Sequence, residues 1–184
     1  MKFEEIKTDR LILRKLSQEV YDQIFGYYSK DEVMSYLGLS SEKEYLEEKV
    51  KYESGLTTHN RKILYFQLLD KTTSTIIGWC GYHTWYVDHF RAEIGYGLFD
   101  ESLKGKGLMS EAMLPIIKFG FDQMSLNRIE AFIAPYNQAS LKLVSKFNFK
   151  EEGLLREHYY KTENAEASAV YSLLKSEFKL KDHI

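Results

Sequence analysis

Residues 98–109 (LFDESLKGKGLM) join a strand-like segment to a helix-like one through a loop that carries two glycines. The first N–H groups of a helix have no partners inside it, and the helix dipole attracts anions to that end. Glycine has no Cβ, so its backbone can approach a phosphate closely. This segment therefore predicts a phosphate-binding turn, although the loop alone also fits a strand–helix connection that binds nothing.

Two other phosphate motifs do not match this loop. A Walker A loop ends in Gly-Lys-Ser/Thr, whereas residues 105–107 are Gly-Lys-Gly. A dinucleotide fingerprint requires a third glycine where Ser110 stands, and it normally follows the first strand of a domain. The mismatch disfavours a nucleotide-binding module.

Residue spacing around the loop predicts the order of the remaining elements. The predicted strands are residues 11–14, 63–69, 75–86, 92–98, 128–134, 149–158 and 167–174. The predicted helices are residues 17–28, 41–54, 108–123 and 137–147. An antiparallel meander followed by strand, helix, strand, helix and strand predicts a mixed, mostly antiparallel α/β sheet. We expect six to seven strands and about four helices in one domain, residues 1–184.

Composition excludes several classes of protein. The net charge of −2 argues against a nucleic-acid binder that works by neutralising phosphates. No apolar run reaches the ~20 residues that a membrane span needs, and the first residues lack the order of a signal peptide. Cys80 is the single cysteine and lies in an apolar run, which predicts a buried, inert thiol in a reducing compartment. We therefore expect a cytoplasmic protein without a membrane partner.

Metal and hydrolase chemistry find no support. The five histidines show no metal-ligand spacing such as H-E-x-x-H, so no metal site is predicted. The G-x-S-x-G elbow of serine hydrolases is also missing. His83 lies in a predicted strand and could approach an acceptor site.

Several further stretches make the loop more specific. They are residues 8–14 (TDRLILR), 91–96 (RAEIGY), 110–112 (SEA), 126–131 (LNRIEA), 135–140 (PYNQAS), 147–153 (FNFKEEG) and 170–174 (VYSLL). In this order they resemble the GNAT superfamily of acetyl-CoA-dependent N-acetyltransferases. Within it the chain is similar to the RimJ/RimL branch, the ribosomal-protein N-terminal acetyltransferases. The resemblance covers nearly the whole chain.

The resemblance implies a GNAT fold, acetyl-CoA as co-substrate and a primary amine as acceptor, attacked directly in a ternary complex. The branch favours the α-amine of a protein N-terminus. Two alternatives stay open: a small amine such as a polyamine, amino acid or aminoglycoside, and a non-catalytic regulator that binds acyl-CoA. The oligomeric state is also open, a homodimer included.

The family's phosphate loop has the pattern Q/R-x-x-G-x-G/A. By this pattern the cofactor-binding residues are Lys104, Gly105, Lys106, Gly107, Leu108 and Met109. Lys104 keeps a side chain that can reach phosphate, whereas Met109 places a bulky residue where the family has a small one. Asn148 replaces a glycine usual in the family, and asparagine tolerates the left-handed conformation expected there.

Glu93 is the predicted general base, acting on the amine directly or through water. Strand alternation places Glu93, Gly95 and Gly97 on one face, where the bare glycines would leave room for a thin pantetheine arm. The resemblance implies that backbone amides near Ile94 and Gly95 bind the thioester oxygen. Glu93 also fits an exposed strand carboxylate paired with a lysine.

Asn137 and Ser140 begin the last predicted helix, and a capping role alone explains their spacing. The resemblance implies that Asn137 contacts the cofactor and that Ser140 protonates the departing sulfur. Many GNAT branches use a helix tyrosine for that proton, but residues 138–147 contain none, which leaves Tyr136 as the rival. Substrate-facing residues are expected near Tyr28, Tyr36 and Tyr159.

Overall fold

The computed structural model describes residues 2–55, 62–161 and 164–179, which form eight strands and five helices. The strands are β1 (Glu5–Lys7), β2 (Leu11–Leu16), β3 (Lys62–Asp70), β4 (Ile76–Tyr86), β5 (Arg91–Leu98), β6 (Arg128–Ile133), β7 (Lys150–Lys161) and β8 (Asn164–Leu174). The helices are α1 (Gln18–Tyr27), α2 (Lys30–Leu37), α3 (Glu42–Glu53), α4 (Leu108–Asp122) and α5 (Gln138–Lys146).

All eight strands form one mixed sheet, in the order β1-β2-β3-β4-β5-β6-β8-β7. Every neighbouring pair is antiparallel except β5 and β6, which are parallel and joined by α4 as a crossover. The predicted mixed, mostly antiparallel class is therefore confirmed. The eight strands and five helices exceed the six to seven strands and about four helices expected.

Two short elements account for the difference. Strand β1 has only three residues, too few for a period to be recognised. Helix α2 carries a capping box, because the Ser29 side chain accepts from the Glu32 N–H and Glu32 reaches back to Ser29. That Ser-x-x-Glu pattern is visible in the sequence and would have predicted the helix. Asn148 takes the expected left-handed conformation, with φ of 60°.

The main core lies between α4 and one face of the sheet. Helix α4 buries one face, on which apolar residues recur every three to four positions. This face includes Met113, Ile116 and Ile117 and packs against apolar side chains of β2 to β6. Tyr82 of β4 is fully buried, and its hydroxyl donates a 2.9 Å hydrogen bond to the Ile116 carbonyl. A smaller core joins Leu16 to helices α1 and α2. The helical pair thus covers a separate part of the sheet.

Gly120 tests this packing. A Cβ there would overlap the Tyr82 hydroxyl and lie 2.8 Å from its Cζ and 3.1 Å from Leu126 Cδ1. We expect Gly120→Ala to lower the free energy of unfolding by about 1–3 kcal/mol, because overpacking outweighs the helix propensity of alanine. Urea denaturation measures the change.

Gly26 in α1 is the matched control, since a Cβ there meets no atom of the described residues within 4 Å. Gly26→Ala should stabilise the protein by roughly 0.5–1 kcal/mol. Equal effects of the two substitutions would contradict the close approach of Tyr82 to α4.

Candidate active site

Strands β5 and β6 separate beyond Glu93. They pair only over Arg91–Glu93 and Arg128–Glu130. From Ile94 onward β5 keeps its partner β4 on one edge, and no further pair with β6 occurs among the described residues. Backbone groups of β5 that face this gap are free to bind a ligand. Glu93, Ile94 and Gly95 therefore lie together where the gap opens.

An ion-pair network fixes the point of divergence. The buried carboxylate of Glu130 accepts from Arg91 at 2.6 Å and from Arg128 at 2.8 Å, so it ties β5 to β6. Arg128 also pairs with Glu152 of β7 at 2.9 Å, and Ser172 of β8 donates to the same carboxylate. A buried carboxylate with two charged partners holds a defined geometry. Sequence reasoning missed this network, because its members come from four strands.

The predicted phosphate loop is an exposed turn before α4. Gly105 and Gly107 have φ values of +73° and +77°, the left-handed region that glycine adopts without strain. Gly107 is the N-cap residue of α4, and no side chain in the described part of the chain caps the helix end. The first amides of α4 therefore point outward at a place that an anion can reach. Leu108 is buried in the core, and Met109 packs against it, so neither side chain has to cover the loop.

An N-terminal segment holds this loop in place. Arg10 donates from Nη1 to the Lys106 carbonyl at 3.0 Å and from Nε to Glu111 at 2.6 Å. The Thr8 hydroxyl and the Arg10 backbone N–H also donate to Glu111. These bonds explain why the stretches at residues 8–14 and 110–112 accompany the loop. Lys104 is paired with Glu101, whereas Arg10 is a cation at the loop that the sequence had not indicated.

Glu93 is buried, with 8% of its surface exposed, so the interpretation as an exposed strand carboxylate is wrong. A bulge in β4 sets two residues, His83 and Thr84, against this one position of β5. His83 Nε2 lies 3.3 Å from Glu93 Oε1. Burial, with a smaller contribution from the charge of Glu130, raises the pKa of Glu93 to about 7, while Thr84 opposes the shift. Burial lowers the pKa of His83.

Gly95 and Gly97 do share the face of Glu93, as the alternation predicted. The expectation that they leave room for a pantetheine arm is wrong, however, because two rings occupy that space. A Cβ on Gly95 would lie 2.7 Å from His83 Cδ2 and 2.9 Å from Trp79 Cη2, and one on Gly97 would lie 3.3 Å from Trp79 Nε1. Because these glycines have no side chains, the rings of Trp79 and His83 pack directly on the backbone of β5.

Asn137 caps α5, since its side-chain oxygen accepts a 3.1 Å hydrogen bond from the Ser140 N–H. The hydroxyl of Ser140 lies near Tyr96, a β5 residue on the face opposite Glu93. Burial raises the pKa of Tyr96 to about 12 and Ser140 partly offsets the rise; the Tyr96 hydroxyl has no hydrogen-bond partner within the described chain. Tyr136 donates instead to Glu166 on β8. Tyr96 is therefore a candidate proton donor. It was not predicted from the sequence because the tyrosine was expected on a helix, whereas Tyr96 lies on strand β5.

The arrangement places candidate acid and base on opposite faces of β5. Glu93 faces His83, and Tyr96 faces Ser140, with the gap beside Ile94 and Gly95 between them. Burial raises the pKa of Tyr159 of β7, and the nearby charge of Glu93 raises it further. Tyr28 and Tyr36 pack on each other at 5.0 Å beside the smaller core. One face can receive an amine, and the other can protonate a leaving group.

Other chemistry receives no geometric support in the described ranges. No three side chains among His, Cys, Asp and Glu come together there as metal ligands. None of the helices described is long and apolar enough to cross a membrane. Cys80 is fully buried, as expected, and burial raises the pKa of its thiol well above the usual range. The Cys80 thiol is therefore inert as a nucleophile.

Known proteins resemble the chain along most of its length. Residues 10–150 match the acetyltransferase (GNAT) domain model. The uncharacterized N-acetyltransferase p20 of Bacillus licheniformis is 34% identical over 177 residues, which cover 95% of this chain and 98% of that protein. The [ribosomal protein uS5]-alanine N-acetyltransferase of Escherichia coli is 26% identical over 163 residues, 83% of this chain and 81% of the relative.

Solved structures share the fold. The ribosomal L7/L12 α-N-protein acetyltransferase RimL, determined in complex with coenzyme A, has a TM-score of 0.67 at 19% identity and covers 93% of this chain and 98% of its own. At that identity the similarity concerns the fold alone. The domain match and the relatives together establish the activity class. The chain belongs to the GNAT family of acetyltransferases and is an N-acetyltransferase.

Proposed function

We propose that this N-acetyltransferase transfers the acetyl group of acetyl-CoA to the α-amine of a protein N-terminus. The single observation that carries the proposal is the gap beyond Glu93, with a carboxylate whose pKa is raised to about 7 on one side and two hydroxyl groups on the other. The choice of a protein N-terminus is supported by the relatives named for ribosomal-protein acetylation.

The turn before α4 fits the pyrophosphate of coenzyme A. Its two left-handed glycines are exposed, and the uncapped helix N-terminus offers several N–H donors to an anion. Lys106 supplies positive charge at the turn, whereas the charges of Lys104 and Arg10 are paired with Glu101 and Glu111. Acetyl-CoA would supply the acetyl group as a thioester. The side chain of Asn137 caps α5. This residue would also lie beside the cofactor, on the other side of the gap.

On the acceptor face, Glu93 would take the proton that the amine nitrogen loses as it bonds to the acetyl carbon. A base with a pKa near neutral accepts that proton efficiently at physiological pH. His83, at 3.3 Å and less buried than Glu93, would pass the proton toward solvent. The β5 amides near Ile94 and Gly95 would donate to the carbonyl oxygen from the edge that β6 leaves free.

On the opposite face, the sulfur needs a proton when its bond to the acetyl carbon breaks. Ser140 and Tyr96 are the two hydroxyl groups that lie there. Ser140 is the proposed donor, and the neighbouring Tyr96 hydroxyl is its rival for this role. Binding at the loop and chemistry at the gap are then separate and can be tested separately.

Gly107→Glu should abolish saturable binding of acetyl-CoA and of CoA in calorimetric titration. The new carboxylate would repel the pyrophosphate and require a left-handed backbone at φ of +77°. Gly26→Glu makes the same chemical change on α1, where no described residue lies within 4 Å of the added Cβ, and this variant should bind like the wild type. Unaltered binding by a folded Gly107→Glu protein would move the cofactor site elsewhere.

Glu93→Gln should lower kcat/KM by about 10²–10⁴-fold, the range that general-base catalysis contributes. In the wild type kcat/KM should rise with pH through an inflection near 7, because Glu93 must lose its proton to act. Acceptor peptides whose amines have different pKa values separate this inflection from ionisation of the substrate. Glu151→Gln removes an exposed carboxylate on β7 and should keep the profile. An inflection near 7 that survives in Glu93→Gln would assign the base to another residue.

The same carboxylate affects stability. Between pH 4.5 and about 7 the folded protein keeps a proton on Glu93 that the unfolded chain has released, so stability falls as pH rises. Glu93→Gln should remove this decline, changing the difference in unfolding free energy between pH 5 and pH 8 by on the order of 2 kcal/mol. Urea denaturation of both proteins at the two pH values measures it. Parallel pH dependences would show that the carboxyl is not perturbed.

A further inference from the structure

A cavity of about 590 Å³ lies between the helical region and the sheet face that carries Glu93. Its polar and aromatic lining includes Tyr21, Glu48, Lys51, Tyr65, Gln67 and Trp79. Tyr65 and Trp79 meet edge to face with ring centroids 5.2 Å apart. The proposed reaction assigns no task to this cavity.

Gln67 contributes an unsatisfied acceptor to the cavity. The residue is 4% exposed, and its Oε1 has no hydrogen-bond partner within the described residues. Its Nε2 donates to the Tyr36 carbonyl at 3.0 Å, which fixes the amide orientation and leaves the oxygen free. A buried acceptor without a partner is costly, so a ligand that brings an N–H donor gains affinity here.

Glu48 gives the cavity a negative potential. Its carboxylate accepts from the Tyr21 hydroxyl at 3.0 Å and pairs with Lys51 at 3.0 Å, but the lysine side chain is 65% exposed and that of Glu48 only 18%. After burial, the charge of Glu48 is the largest cause that raises the pKa values of Tyr21 and Tyr65. Aromatic faces also attract cations. The cavity therefore favours a positively charged donor on an apolar stem.

Two residues of the cavity wall, Tyr65 and Trp79, lie beside the proposed reaction site. Burial and the charges of Glu48 and Glu93 together raise the pKa of Tyr65 to about 12, so both carboxylates lie near this side chain. Trp79 lines the cavity and packs beside His83 over Gly95. A molecule whose amine reaches Glu93 can therefore extend along Tyr65 toward Gln67.

Strand geometry gives the separation. Gln67, Trp79 and Gly97 are lateral partners on β3, β4 and β5, and Gly97 is four residues beyond Glu93. Spacings of 3.3 Å along a strand and 4.8 Å between strands place the backbones of Glu93 and Gln67 roughly 16 Å apart. An extended peptide advances about 3.5 Å per residue. A side chain from the second or third residue of an acceptor fits this span.

We propose that the cavity selects acceptors that carry a second, cationic alkylammonium group, bound by Gln67 Oε1 and the carboxylate of Glu48. This inference rests on the proposed transfer at Glu93 and adds the substrate class. Lysine at the second or third position of a protein N-terminus supplies such a group, and so does a long diamine. Both share the aliphatic stem and the charged N–H donors that the cavity accommodates.

The test compares acceptor peptides that differ only by lysine or norleucine at the second or third position. In the wild type we expect kcat/KM to favour lysine at one of these positions by about 10-fold or more, the range for a hydrogen bond to a charged group. Gln67→Leu and Glu48→Gln should each reduce that ratio to below about 3-fold. Gln123→Leu, an exposed matched control at the end of α4, should keep it.

Each outcome decides between interpretations. Acetylation of both peptides at equal kcat/KM by the wild type overturns the inference and leaves the proposed function standing. If neither peptide is acetylated, the proposed function fails, and calorimetric titration of the lysine and norleucine peptides then tests the cavity directly. Tighter binding of the lysine peptide supports it, and equal binding overturns it. If diamines are acetylated better than any peptide, the cationic acceptor is a small molecule and not a protein N-terminus. If Gln67→Leu does not fold, Glu48→Gln provides the same test.

Discussion

The parallel pairing of β5 with β6, which stops at Glu93 and Glu130, is the constraint on which the rest of the structure depends. Arg91, Arg128 and Glu130 hold the two strands together at this point, and beyond it the strands diverge. Divergence frees one edge of β5 without unfolding the sheet, because β4 still pairs with the other edge. A ligand can thus reach the backbone in the middle of a sheet, where edges are normally satisfied.

The same constraint organises the charges. Glu130 holds the strands through two arginines, and its charge adds to burial, the larger cause, in raising the pKa of Glu93 in the adjacent strand. The bulge in β4 adds His83 and Thr84 on the same side. A carboxyl that is buried beside another carboxylate keeps its proton to higher pH. The cluster around Glu130 therefore both holds β5 against β6 and contributes to the raised pKa of Glu93, which links the fold to the proposed proton transfer.

Much of the fold could be predicted from the sequence. The order of the long strands and helices and the glycine turn before α4 follow from local periodicity and capping. Strand β1 was too short to recognise, and α2 was missed although Ser29 and Glu32 form its capping box. At the site, alternation correctly grouped Glu93 with Gly95, but the rings of Trp79 and His83 fill the space that the glycines were expected to leave. Local patterns give the direction of a side chain and not its neighbours.

The sequence by itself determined the class of sheet, the glycine turn before α4 and the family, because backbone propensities, glycine positions and ordered motifs are properties of the linear chain. Only the tertiary structure decided that Glu93 is buried, that Tyr96 lies beside Ser140 whereas Tyr136 bonds to Glu166, and that the Gln67 oxygen has no partner among the described residues. Burial and pKa depend on groups that come from strands distant in sequence, so they are defined only once the sheet has assembled.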